Sequence, residues 1–231
     1  PDYSRFVAAE AYRTLRSAII LSSSEQPPKT ALITSATEAE GKTMTAVNTA
    51  IAFAHLGMRV ALVDADLRRP RCHRALGIEN YAGLAEVLGG TLAIEEALRE
   101  SPFERLSVVT AGSIPPNSAD LVGSSKMEQT IKWLRDQFDF VVIDSCPMML
   151  VSDAVPIAAM VDGAVLVING PQTPRHLALS ACTQLRSVGT RVFGAVLNLV
   201  DFESPDFYYS RHSYGYRHSS YYHRTPNPPV Q

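Results

Sequence analysis

The sequence predicts a doubly wound α/β fold, a mostly parallel sheet with helices on both faces, followed by a flexible C-terminal tail. Three observations carry this. Short all-apolar runs such as Ala31-Leu-Ile and Phe140-Val-Val-Ile read as strands buried on both faces of a parallel sheet. Segments of helical periodicity alternate with them. After about Asp201 the composition changes abruptly to Tyr, Ser, Arg, His, Gly and Pro. The predicted organisation is residues 1–28 as an N-terminal helix and linker, 29–200 as the α/β domain and 201–231 as the tail.

Residues 6–22 carry apolar positions at helical spacing, Phe6, Val7, Leu15, Ala18 and Ile19, with Glu10, Arg13 and Arg16 three apart on a polar face. Ser22 to Pro28 breaks the chain before the first strand, Ala31–Thr34. A helix over 43–56 ends near Gly57, a C-cap residue, and a strand over 59–63 follows, which makes a right-handed βαβ unit. Further along, 83–90 and 92–100 read as short helices, 106–110 as a strand and 111–117 as a loop at its end. An amphipathic helix over 127–138 feeds the strand at 140–143. The last elements are a strand over 161–168, a helix over 175–188 and a strand over 191–199. From Tyr208 to Pro229 there is no aliphatic residue, so the segment has nothing with which to bury a core. It holds six of the nine tyrosines, and in a flexible tail they stay reachable.

The loop between the first strand and helix, Ala36-Thr37-Glu38-Ala39-Glu40-Gly41-Lys42-Thr43, has the chemistry of a phosphate-binding loop. Backbone N–H groups and a helix N-terminus face the phosphates, Lys42 neutralises β/γ oxygens, and the Thr43 hydroxyl suits Mg²⁺. Only the second glycine of the G-x-x-x-x-G-K-[ST] pattern is present, because Ala36 holds the first position. Two other strands end in acids: Val60-Ala-Leu-Val-Asp64-Ala-Asp66 and Phe140-Val-Val-Ile-Asp144. In open parallel sheets ligands bind beyond the strand C-termini, which places these acids on the edge of the phosphate loop. Helix capping explains one such aspartate well and three poorly.

A chain of 231 residues that is 46% hydrophobic can bury one core. A net charge of −2 gives no overall basic field and disfavours nucleic acid as a partner. Cys72, Cys146 and Cys182 are scattered, without zinc or disulfide spacing, and read as reduced cytosolic thiols. No apolar stretch reaches membrane-spanning length, and the first residues do not resemble a secretory signal. A chain without an initiator Met is consistent with a cytoplasmic portion of a larger protein.

Taken together, the phosphate loop, Asp64-x-Asp66-x-Arg68, the third motif ending at Asp144, Glu10-x-x-Arg13-x-x-Arg16 and the tyrosine cluster resemble the bacterial tyrosine kinases of polysaccharide biosynthesis and export, within the P-loop NTPases. The resemblance runs from about Glu10 to the C-terminus and includes Gly112-Ser-Ile-Pro-Pro-Asn117 and Asp153-Ala. It implies an autokinase that uses ATP and Mg²⁺ to phosphorylate its own tail tyrosines, Tyr208, Tyr209, Tyr214, Tyr216, Tyr221 and Tyr222. It also implies a ring-shaped homo-oligomer built through Glu10, Arg13 and Arg16. A membrane polysaccharide co-polymerase, fused or separate, would activate the kinase at the inner face of the plasma membrane, and the cycle would regulate capsule or exopolysaccharide production.

On this resemblance Lys42, Asp64, Asp66 and Asp144 are catalytic, and the backbone of Thr37, Glu38, Ala39, Glu40, Gly41, Lys42, Thr43 and Met44 holds the nucleotide. Thr43 would bind Mg²⁺ directly, with Asp64 and Asp144 through water. Asp66 would accept or orient the proton of the incoming tyrosine, and Arg68 would contact phosphate or a neighbouring subunit. Asn198 reads as an adenine contact or simply as a strand-terminal turn residue. Two departures from the family's usual residues stand out: Glu38-Ala39 replaces Pro-Gly, where Ala39 accepts positive φ less readily than Gly and an inward Glu38 carboxylate would repel nucleotide, and Cys146 stands where a Pro is usual. A MinD/ParA-like positioning ATPase is the nearest alternative, but Thr37 occupies the place of its signature lysine. The other is a weakly active nucleotide-binding scaffold of the export complex.

Overall fold

Continuous Val/Leu/Ile runs and amphipathic segments close into a seven-stranded sheet with helices on both faces. The computed structural model describes residues 3–23 and 26–200, with side chains from residue 8 onward. In chain order the elements are α1 (Tyr3–Ile20), β1 (Thr30–Ser35), α2 (Lys42–Ala54), β2 (Val60–Asp64), α3 (Cys72–Leu76), α4 (Leu84–Leu88), α5 (Ile94–Ala97), β3 (Leu98–Glu100) and β4 (Leu106–Val109). They continue with α6 (Ser118–Val122), α7 (Ser125–Gln137), β5 (Phe140–Asp144), α8 (Ala154–Met160), β6 (Ala164–Asn169), α9 (Arg175–Ser187) and β7 (Val192–Asn198). The tail tyrosines lie outside the described residues.

Strand order is β3-β4-β2-β5-β1-β6-β7, and every pairing is parallel except β3 with β4. Alternate residues of each central strand enter different cores. Val60, Leu62, Phe140 and Val142 pack with Ala46, Ala50 and Phe53 of α2 and Ile19 of α1. Ala61, Val63, Val141 and Ile143 pack with Met127, Ile131 and Leu134 of α7 and Ile157 of α8. This two-sided burial is why the strands read as unbroken apolar runs rather than as an alternation. Phe53 and Phe140 stack at 3.8 Å between centroids, tying α2 to the sheet centre. At the other face, the Ser124 hydroxyl accepts from the Met127 N–H and fixes the start of α7.

Two segments differ from the sequence expectation. Residues 92–100 do not form one helix: α5 ends at Ala97, and Leu98–Glu100 pairs antiparallel with β4, Leu98 opposite Val109. Good helix formers there are overridden by the unpaired edge of β4, whose backbone groups need partners. The short helices α3, α6 and α8 were not anticipated, being only five to seven residues long. No described helix is long and apolar enough to cross a membrane.

Candidate active site

Because β2, β5 and β1 are neighbours, the loops that follow them emerge side by side. Asp64 and Asp144 stand opposite one another in the β2–β5 register, and Ile33 of β1 is opposite Asp144 on its other side. The loop after β1 therefore passes over both acids. Gly41, at φ 87°, caps α2, and the Thr45 N–H bonds back to its carbonyl at 2.9 Å. A Cβ at Gly41 would lie 2.0 Å from the Asn198 side-chain nitrogen. Gly41→Ala is expected to cost about 1–2 kcal/mol in backbone strain alone. It should also displace Asn198, so that thermal melting and nucleotide titration both report a loss.

Lys42 points inward, its Nζ 3.1 Å from an Asp66 carboxylate oxygen. Burial opposes the Lys42 charge, but Asp144 and Asp66 outweigh it and raise its pKa. Asp66 is itself buried and accepts the Arg69 N–H at 3.0 Å. The Thr43 hydroxyl lies beside Asp144 and stabilises its charge. Thus Lys42, Thr43, Asp64, Asp66 and Asp144 come together at one point of the sheet edge.

Burial first, and then the charge of Asp144, push Asp64 up to about 8. Burial likewise lifts Asp144 to about 6, against the pull of Lys42 and the Thr43 hydroxyl. Both acids therefore bind protons more tightly folded than unfolded, where their ordinary value is 3.8. Their contribution to stability is complete below that value and is lost as pH rises to about 8. Without divalent cations the melting temperature should fall over this window, and Asp64→Asn should flatten the decline.

The Oδ1 atoms of Asp64 and Asp144 are buried without a hydrogen-bond partner among the described residues. Two unsatisfied carboxylate oxygens beside the Thr43 hydroxyl are the donor set that a hard, oxygen-preferring cation requires, so these residues fit Mg²⁺.

The other predicted residues take varied places. The Glu38 carboxylate pairs outward with Arg69, away from the acids. Ala39 keeps the left-handed conformation at φ 61°, as a glycine would. Met44 is half-exposed on α2. Glu40 is buried: its carboxylate accepts from the Thr37 N–H, the Asn169 N–H and the Thr173 hydroxyl. The Asn198 Nδ2 donates to the Glu40 carbonyl at 3.0 Å. Glu40 thereby braces the loop against the ends of β6 and β7, through Asn169 and Thr173, residues that sequence reasoning missed. Arg68 makes a two-pronged bond to Asp153, at 2.9 and 3.0 Å, and Ser118 donates to the same carboxylate. On α1, Glu10 and Arg13 pair with each other on the surface. Arg16 instead turns inward and donates to the Ala52 carbonyl of α2 at 2.8 Å.

A family profile described as an AAA domain matches residues 35–192. The tyrosine-protein kinase YwqD of Bacillus subtilis (strain 168) is 38% identical over 190 residues, 82% of this chain and 80% of that one. The chain belongs to the bacterial tyrosine-protein kinase family. Among solved structures, the kinase domain of the Escherichia coli tyrosine kinase ETK superposes with a TM-score of 0.82 at 30% identity, covering 85% of this chain and 77% of that one. The cell division ATPase MinD of Pyrococcus furiosus is a more distant match, with a TM-score of 0.66 at 27% identity, covering 80% of each chain. The tyrosine kinase fold seen here is thus a variant of the nucleotide-using fold that such ATPases share.

Proposed function

We propose that this kinase transfers the γ-phosphoryl group of ATP to its own C-terminal tyrosines, Tyr208, Tyr209, Tyr214, Tyr216, Tyr221 and Tyr222. The observation that carries this reading is the convergence of Lys42, Thr43, Asp64, Asp66 and Asp144 at one sheet edge, with Lys42 bound to Asp66. Phosphoryl transfer asks a protein mainly for positioning and charge neutralisation. Lys42 and the N–H groups of residues 37–44 hold the triphosphate. Thr43, Asp64 and Asp144 would hold Mg²⁺, which when bound neutralises charge on the phosphate oxygens. Asp66 accepts the tyrosine hydroxyl proton as the oxygen–phosphorus bond forms and the β–γ bridge breaks, with ADP leaving.

The Lys42–Asp66 ion pair links the two roles. Phosphate oxygens compete with Asp66 for the Lys42 ammonium, so nucleotide binding releases the carboxylate to take a proton. Asn198, bonded to the Glu40 carbonyl of the loop, lines the base side of the nucleotide in this reading, and Arg68 acts through Asp153 at the rim. Residues 1–28, 29–200 and 201–231 serve as assembly segment, kinase domain and substrate tail. Glu10 and Arg13, on the surface of α1, join neighbouring copies in a ring, while Arg16 fixes α1 to α2. Neighbours then phosphorylate one another's tails. A membrane polysaccharide co-polymerase, fused or separate, activates the kinase at the inner face of the membrane, and the cycle regulates capsule or exopolysaccharide production.

Incubation with ATP separates this reading from a positioning ATPase. Phosphate should appear on protein tyrosine by intact mass and phosphotyrosine blotting. Phosphate released only into solution would overturn the kinase reading.

A further inference from the structure

The first turn of α3 is bound to the ends of two central strands. One oxygen of Asp64 accepts the N–H groups of Arg71 and Cys72, at 3.1 and 2.9 Å. The Cys72 sulfur lies 3.6 Å from an Asp144 oxygen. All three side chains are fully buried. One ligand atom from each lies within 4.8 Å of the others. The second oxygens of Asp64 and Asp144, Oδ1 of each, are among the buried side-chain atoms without a hydrogen-bond partner among the described residues. Such oxygens are costly to bury unless something positive or hydrogen-bonding meets them.

We propose that Asp64, Cys72 and Asp144 form a site for a thiophilic divalent cation of the zinc class. Magnesium prefers oxygen and takes no thiolate. One sulfur and two carboxylates instead match the three-ligand set of a zinc site, with a fourth position left open. On binding, the sulfur–hydrogen bond of Cys72 breaks, a metal–sulfur bond forms and the proton leaves to the buffer. The two carboxylates then serve the soft cation and are withdrawn from the magnesium–nucleotide side. Zinc at this site therefore opposes nucleotide binding. The ligand geometry stands whether or not the tail is the phosphate acceptor.

Cobalt(II) titrated into the 231-residue chain, without nucleotide or magnesium, tests the site. A thiolate-to-cobalt charge-transfer band is expected, saturating at one equivalent and reversed by zinc. Such a band requires sulfur, so metal held by the tail residues His212, His218 and His223 does not produce it. Cys72→Ser should abolish the band and weaken zinc, measured by competition with a chromophoric chelator, by well over about tenfold. Cys146→Ser and Cys182→Ser should leave both unchanged. As a second variant, Cys72→Val keeps the buried side chain apolar but offers no metal ligand, and zinc should raise the melting temperature of the parent chain but not of this variant. No band in the parent chain, a band that survives Cys72→Ser, or equal zinc stabilisation of Cys72→Val would each overturn the proposal.

Discussion

Lys42→Met is expected to abolish tyrosine phosphorylation, read by phosphotyrosine blotting and intact mass. The ammonium lies against the buried carboxylates, with its nitrogen 3.1 Å from Asp66. Methionine has similar length but cannot neutralise phosphate charge, and losing one such preorganised electrostatic contact costs roughly 10²–10³ in rate. A second effect compounds the first. Asp66 and Asp144 lose the charge that balances them, and an uncompensated buried carboxylate is destabilising. The variant should therefore melt earlier, and circular dichroism must establish that it is folded under the assay conditions. Undiminished phosphotyrosine in a folded Lys42→Met protein would defeat the kinase mechanism.

Deleting residues 208–224 is expected to remove most phosphate incorporation while leaving nucleotide binding measurable by calorimetry. Every group assigned to the nucleotide or cation lies between Thr37 and Asn198, so the deletion touches none of them. It removes six tyrosines and leaves Tyr3, Tyr12 and Tyr81. Tyr81 is exposed, but its ring lies under the Arg99 guanidinium at 4.8 Å, which holds it in place on the domain surface. Incorporation that persists after the deletion would point to Tyr81 or the α1 tyrosines and would mean that the tail is not the acceptor.

The central strands were legible because burial on both faces demands unbroken apolar runs, and Val60–Asp64 and Phe140–Asp144 supply them. The phosphate loop was legible because close backbone approach, a cation and a hydroxyl must fall at fixed spacing. Leu98–Glu100 was misread because its side chains suit a helix, whereas its backbone was claimed by an edge one loop away. Glu40 was read as part of a phosphate cradle, and its carboxylate turned out to bond Asn169 and Thr173, some 130 residues distant. That the Glu38 carboxylate pairs with Arg69, 31 residues on, carried no signal in the sequence either.

Spacing along the chain was enough to establish the alternation of strand and helix, the strand–loop–helix around Gly41-Lys42-Thr43 and three carboxylates at strand ends, since each follows from backbone geometry within a few residues. Which acid meets Lys42, which oxygen of Asp64 is left without a partner, and that Arg68 reaches Asp153 all depended on the order β2-β5-β1. Strand order is a property of the packed sheet. It brings together side chains whose separation in sequence carries no signal of their contact.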